Sequence, residues 1–158
     1  MYRVGDKIAH PMHGAGIVED IIEHRVDGEM RSYYVVTMTF GTMKVMVPCE
    51  VCAAIGVREI IDAQTADELI AKFVHIDVEC NQNWNKRYRE NMLKIKSGDL
   101  MQVASVIKSL TARDKERNLS TGERKLLSSA KQILISEIML AKDLDCDEAE
   151  RIVIESLE

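Results

Sequence analysis

Residues 16–40 read GIVEDIIEHRVDGEMRSYYVVTMTF. Asp27-Gly28 near the centre is the strongest hairpin signal in the chain, because this dipeptide accepts the positive φ angles of a tight turn and sits between two strand-like runs. On its N-terminal side, residues 16–23 are apolar in pairs, the pattern of a strand with a bend or bulge. On its C-terminal side, Ser32 to Phe40 is β-branched and aromatic, which suits a half-buried pleated surface. Further out, Tyr2 to His10 is short and mixed, and His13-Gly-Ala-Gly16 supplies a turn. Beyond Phe40, Gly41-Thr42 makes another turn and Met43 to Val47 ends at Pro48. Four or five short strands with tight glycine turns predict a small barrel, since closure hides the edges of so small a module.

From about residue 62 the apolar period becomes helical. Thr65-Ala-Asp-Glu68 fits a capping box, followed by a stripe of Leu69, Ile70, Phe73 and Val74. A second helix is expected from about Asn85 to Lys96, stopping at Ser97-Gly98. A third places Leu100, Val103, Ala104, Ile107 and Leu110 on one face, and the chain turns in the polar run Asp114 to Asn118. Ser120-Thr-Gly-Glu123 opens a long helix with Leu126, Leu127, Ala130, Ile133, Leu134 and Ile138 inward. Asp145 to Glu148 caps a last helix carrying Ala149, Ile152, Val153 and Leu157. The fold class is therefore α+β, a β module followed by a bundle of about five helices, divided at residues 1–58 and 59–158.

Composition excludes several classes. The chain has 158 residues, enough for one ordinary domain or two small ones, and seven are aromatic, so its core is aliphatic with nine Met as filler. No apolar run reaches the ~20 residues of a membrane span, and no export signal opens the chain. A cytoplasmic protein with reduced thiols is expected. The net charge of −5 hides a division. Residues 81–131 carry 12 basic against 5 acidic side chains, and the flanks on either side are each acidic. A basic block between acidic flanks is the footprint of an anionic partner, although a solvated helix face leaves the same trace.

Motifs for catalysis are missing. No phosphate loop, dinucleotide fingerprint or nucleophile motif occurs, and no catalytic residue or cofactor is assigned. Cys49-Glu-Val-Cys52 has the spacing of a zinc or dithiol redox pair. His10 and His13 could complete a Cys2His2 set only if the fold joined the two segments. The preferred reading is two thiols at a strand end or in a short helical turn, with no metal. Asn81-Gln-Asn-Trp-Asn-Lys-Arg-Tyr-Arg89 is more informative. The sole Trp stands among polar residues that make poor core neighbours, just before three cations. If the helix starts at Asn83 or Trp84, the ring projects from its terminus and Lys86, Arg87 and Arg89 fan around it. Such a ring can stack on a base or wedge into a groove while the cations hold phosphates. Arg124 and Lys125, in the first turn of the long helix, oppose its dipole and hint at another use.

The whole chain resembles the CarD/CdnL family of bacterial transcription regulators, whose N-terminal domain is shared with the transcription-repair coupling factor. The matching residues are Val4-Gly-Asp6, His10-Pro-Met-His-Gly14, Asp27-Gly28, Tyr33-Tyr-Val-Val36 and Val45-Met-Val-Pro48 in the first part. In the second they are Asn83-Trp-Asn-Lys-Arg-Tyr-Arg89, Lys96-Ser-Gly-Asp99, Arg113 to Ser120 and Gly122-Glu-Arg-Lys125. The resemblance implies a Tudor/SH3-like β domain that binds the RNA polymerase β subunit and a helical domain that binds promoter DNA, in a protein that is not an enzyme. Nothing in the sequence argues for a dimer, although the Asp145–Glu158 helix could hide an apolar face, so a monomer is expected. It implies that Trp84 enters the minor groove at the upstream edge of the melted region and stabilises the open complex, with Lys86, Arg87, Arg89, Arg124 and Lys125 facing DNA. The polymerase contact would involve His24, Arg25, Lys44 and Met46. The family uses basic residues at the positions of His24 and Met46; Arg25 alternates to the other face of a regular strand, whereas Lys44 and Met46 share one. Cys49, Cys52 and His10 receive no metal role from the resemblance. The competing reading is a scaffold that binds polymerase without touching DNA, with Trp84 buried.

Overall fold

The computed structural model describes residues 1–40, 43–78 and 83–157. The turn expected at Gly41-Thr42, and Asn81 and Gln82 ahead of the Trp, lie outside the described residues.

Asp27 and Gly28 have φ of 50° and 80°, so both central turn residues are left-handed. That turn matches the twist of its flanking strands. It joins β2 (Gly14–Val26) to β3 (Glu29–Met38), which pair antiparallel along most of their length. The register shifts between Val18 and Asp20, at the bulge that the paired apolar pattern signalled. With β1 (Lys7–His10), β4 (Lys44–Pro48) and β5 (Arg58–Glu59), they form a five-stranded antiparallel sheet ordered β4-β3-β2-β1-β5. Between β4 and β5 lies a single helical turn, α1 (Cys52–Ile55). The fifth strand is two residues long, too short to show a period, and exists because β1 offers it an edge.

One turn lies elsewhere than expected. Gly14 and Gly16 belong to β2, and the reversal is made by Pro11 to His13. These glycines answer to close approach: a Cβ on Gly16 would stand 2.7 Å from the Thr37 carbonyl oxygen.

Five helices follow among the described residues, α2 (Ala63–Phe73), α3 (Trp84–Lys96), α4 (Leu100–Glu116), α5 (Thr121–Lys142) and α6 (Cys146–Leu157). The architecture is α+β, as the sequence implied. Ser120 and Asp145 cap α5 and α6 as expected, the side chains accepting from the backbone N–H of Glu123 and Glu148. For α2 the cap is Asp62 rather than Thr65, its carboxylate accepting the Thr65 N–H at 2.7 Å. That early start buries Ala66 and leaves Val74, just past the last turn, 54% exposed instead of in the stripe. Helix α4 also runs further than polarity suggested, because Asp114 to Glu116 need only a solvated last turn to stay helical.

Two apolar cores result. Ile8, Val18, Tyr34, Val36 and Val47 line the inside of the sheet with Val57. Phe73, Ile95, Val103, Val106, Ile107, Leu134 and Ile138 fill the helical bundle. The sheet meets the bundle along α5, where the Ala15 N–H donates to Ser136 Oγ.

Candidate nucleic-acid interface

Asn83 caps α3, its side chain accepting from the Lys86 N–H at 3.1 Å, so Trp84 is the first helical residue. The ring therefore leaves from a helix terminus and is 42% exposed, which a buried packing role would not produce. Contacts with Ser120 and Tyr88 hold it. Its indole N–H donates to Ser120 Oγ at 3.1 Å, and one face stacks on Tyr88, with centroids 5.1 Å apart and 14° between planes. Tyr88 follows Trp84 by four residues and so shares its helix face. Gly122 sits against both rings, where a Cβ would stand 3.6 Å from Tyr88 Cε2 and 3.7 Å from Trp84 Cζ2.

Below the ring lies an ion pair. Arg87 is 6% exposed and Glu123 2%. Arg87 Nε and Nη2 donate to Glu123 Oε2 and Oε1, each at 3.1 Å, and Arg113 Nε stands 3.9 Å from Oε2. Ser120 joins the two layers: it accepts from Trp84 and from the Glu123 N–H, and its hydroxyl donates to Glu123 Oε1 at 3.4 Å. Burial pushes the Glu123 pKa up, but the hydrogen bonds and charge of Arg87, with the charge of Arg113, outweigh it and hold the carboxyl below its ordinary value. The contacts of Arg87, Arg113 and Ser120 with the Glu123 carboxylate therefore favour its ionised form.

This geometry corrects one expectation. Lys86 and Arg89 are exposed near the ring, but Arg87 points inward and its guanidinium is committed to Glu123. The reason is helical spacing: three residues past Trp84, Arg87 faces α5 across the start of the bundle. Arg124 and Lys125 are exposed on the first turns of α5, beside the Ser120 and Gly122 that touch the Trp ring. A shallow groove lined by Trp84, Tyr88, Arg89, Met92, Leu93 and Lys96 continues down α3. Tyr88, Ser120, Glu123 and Lys96 carried no site role in the sequence reading. The four-residue spacing of the two aromatics was a signal for Tyr88, and the charged capping box was one for Glu123.

On the sheet, the register carries Lys44, Met46, Val35, Tyr33 and His24 to one outward face. The His24 and Tyr33 rings meet edge to face, 6.5 Å apart. Arg25, paired with Met30, falls on the opposite face, as strand alternation required. Lys44 donates to Glu19 Oε1 at 3.1 Å, and Thr37 donates to the same carboxylate at 2.9 Å.

The Cys52 thiol shows no activation. Cys52 is buried at the start of α1, and burial, then the neighbouring Cys49, pushes its thiol pKa up, the reverse of a reactive thiolate. His10 and His13 have centroids 4.6 Å apart. Among the described residues no three His, Cys, Asp or Glu side chains gather as a metal-binding group. No described helix is long and apolar enough to cross a membrane.

Comparison with known proteins gives the same pattern in both halves. The family model described as "CarD-like/TRCF RID domain" matches residues 2–61, and the one described as "CarD, C-terminal domain" matches residues 68–154. A Bacillus subtilis (strain 168) protein named "Putative transcription factor YdeB" is 35% identical over 144 residues, covering 91% of this chain and 94% of that protein.

Proposed function

The chain belongs to the CarD-like family of transcription factors, and on that premise we propose that it stabilises the melted promoter by binding RNA polymerase and DNA together. In this reading residues 1–58 dock on the polymerase β subunit and residues 59–158 bind the DNA at the upstream edge of the melted region. The protein works as a single cytoplasmic chain at the nucleoid, without catalysis or cofactor.

One observation carries the proposal: a half-exposed Trp84, held by Ser120 and Tyr88, with Lys86 and Arg89 exposed on the same helix and Arg124 and Lys125 exposed on the first turns of α5. A wedge must keep its direction under load, and a ring fixed by a hydrogen bond and a stack loses little freedom on insertion. Unstacking a base step costs a few kcal/mol. A protein that binds the distorted step better than the paired one shifts the equilibrium by that difference, and about 1.4 kcal/mol is tenfold. The surrounding cations hold phosphates and set the register of the ring. Arg87 then supports the ring from below instead of touching DNA.

On the β unit, the face holding His24, Lys44 and Met46 offers the polymerase a mixed surface, and Arg25 lies away from it. Docking through an exposed strand edge would tolerate the change from basic residues to His24 and Met46, because backbone bonds carry it. Tethering by polymerase raises the local concentration, so a weak DNA surface suffices.

The test is the lifetime of the open complex formed by bacterial RNA polymerase, measured without the protein, with wild type and with Trp84→Ala. Wild type should lengthen it, and Trp84→Ala should lose most of the gain while still binding polymerase. If both proteins bind polymerase and neither changes the lifetime, the protein is a scaffold and the role given to Trp84 is wrong.

A further inference from the structure

Helix α5 touches both working ends of the molecule. Its start holds Trp84 and Arg87 through Ser120 and Glu123. Sixteen residues on, about 24 Å along the helix, the same element meets the β unit.

The contacts there are polar and directional, and they centre on two buried side chains of α5. Glu137, 1% exposed, accepts from Arg58 Nη1 at 2.8 Å, Arg58 Nη2 at 2.9 Å and the Ile61 N–H at 3.0 Å. Arg58 Nη2 also donates to the Gly98 carbonyl at 3.2 Å, so one side chain ties β5 to both α5 and the turn between α3 and α4. Ser136 Oγ accepts the Ala15 N–H at 2.8 Å and donates to the Ile133 carbonyl at 3.0 Å. Gly14 makes the close approach possible, since its φ is +87° and a Cβ there would stand 2.6 Å from Ser136 Oγ. Further along, Lys7 Nζ reaches the Leu140 carbonyl at 3.4 Å.

An apolar seam alone has no preferred direction and lets two units slide. Two adjacent buried groups, each bonded at fixed angles to the other unit, admit one orientation only. A buried carboxylate paired with a part-exposed guanidinium is weak support for stability, and its directional bonds can instead select one arrangement. We propose that Ser136 and Glu137, with Arg58 and Gly14, are positioning residues that fix the angle between the β unit and Trp84. With α5 as a rigid strut, docking of the β unit presents the ring to DNA at one distance and one direction. The functional half of this inference rests on the proposed polymerase and promoter binding. The structural half does not.

The test uses the full chain. Arg58→Met/Glu137→Gln removes the charge pair without stranding a buried charge, and Ser136→Ala removes the second contact. Four measurements are needed: relative orientation of the two units from residual dipolar couplings, affinity for polymerase, Trp84 emission, and open-complex lifetime. Each variant should bind polymerase within about twofold of wild type and keep the Trp84 emission spectrum. The alignment tensors of the two units, shared in wild type, should diverge. The gain in lifetime should fall about tenfold, as expected when two linked surfaces no longer engage together. Shared tensors in both variants would overturn the inference. So would a full gain in lifetime despite divergent tensors, or a lost gain with shared tensors. If the double variant does not fold, Ser136→Ala decides by the same readouts. If wild type itself fails to lengthen the lifetime, the proposed function falls, while the tensors still decide whether these residues set the orientation.

Discussion

Replacing Arg87 by Ala separates a buried supporting residue from a surface cation. The substitution takes both guanidinium hydrogen bonds from the Glu123 carboxylate, 2% exposed, and leaves Ser120 Oγ at 3.4 Å, Arg113 Nε at 3.9 Å and the Trp84 indole among its polar neighbours. Breaking a buried pair by removing one partner costs about 3–5 kcal/mol. Arg113 can take up part of the charge, which places the expected loss near 3 kcal/mol. In a chain of this size each kcal/mol moves the melting temperature by about 2–4 °C, so Arg87→Ala should melt about 6–12 °C lower. Arg89→Ala, exposed one turn away from any such partner, should stay within about 0.5 kcal/mol of wild type. The assay is thermal unfolding followed both by far-ultraviolet circular dichroism and by Trp84 fluorescence, which reports the site directly because the chain has one Trp. Raising the salt should barely change the Arg87→Ala deficit, since a buried pair is poorly screened. A buried supporting role for Arg87 is refuted if Arg87→Ala melts with wild type and instead weakens DNA binding as Arg89→Ala does. Arg87 would then be a surface cation after all.

Acid should release the ring. The folded pKa of Glu123 lies below its unfolded value of about 4.3, so its contribution is complete above that pH and is lost as pH falls through the lower folded value. Trp84 fluorescence should therefore be flat from pH 8 to 5 and change only in strong acid; a transition near pH 6.5 would count against Glu123 as the controlling group. Arg124→Ala/Lys125→Ala should lower the slope of log affinity for DNA against log salt by about 1.8 if each cation neutralises one phosphate, and an unchanged slope would remove them from the interface. Gly14→Ala should cost about 2–4 kcal/mol in urea denaturation, from a left-handed backbone plus a Cβ driven into Ser136. Gly28→Ala, with nothing within 4 Å, should cost only about 1–2 kcal/mol for its backbone, so equal losses would refute the close approach at Gly14.

The amino-acid order by itself determined features that depend on near neighbours. Asp27-Gly28 is a hairpin because the turn geometry is local, and Ser120 and Asp145 cap helices because a side chain reaches the N–H groups three residues ahead. The period-2 and period-3.6 runs divided the chain into sheet and bundle. The polar setting of Trp84 at a helix start marked it as a ring in search of a partner. Only the tertiary structure decided where side chains of similar chemistry went. Lys86, Arg87 and Arg89 read alike in sequence, yet Arg87 turns inward because Glu123, 36 residues later, waits across the bundle with a complementary fork of acceptors. The two residues of β5 became a strand because β1 had a free edge, and Ser136 and Glu137, unremarkable on a helix, became the joint between the units. The reason is common to all three. A hydrogen bond or ion pair between distant segments depends on where the chain brings them, and no local pattern records that distance.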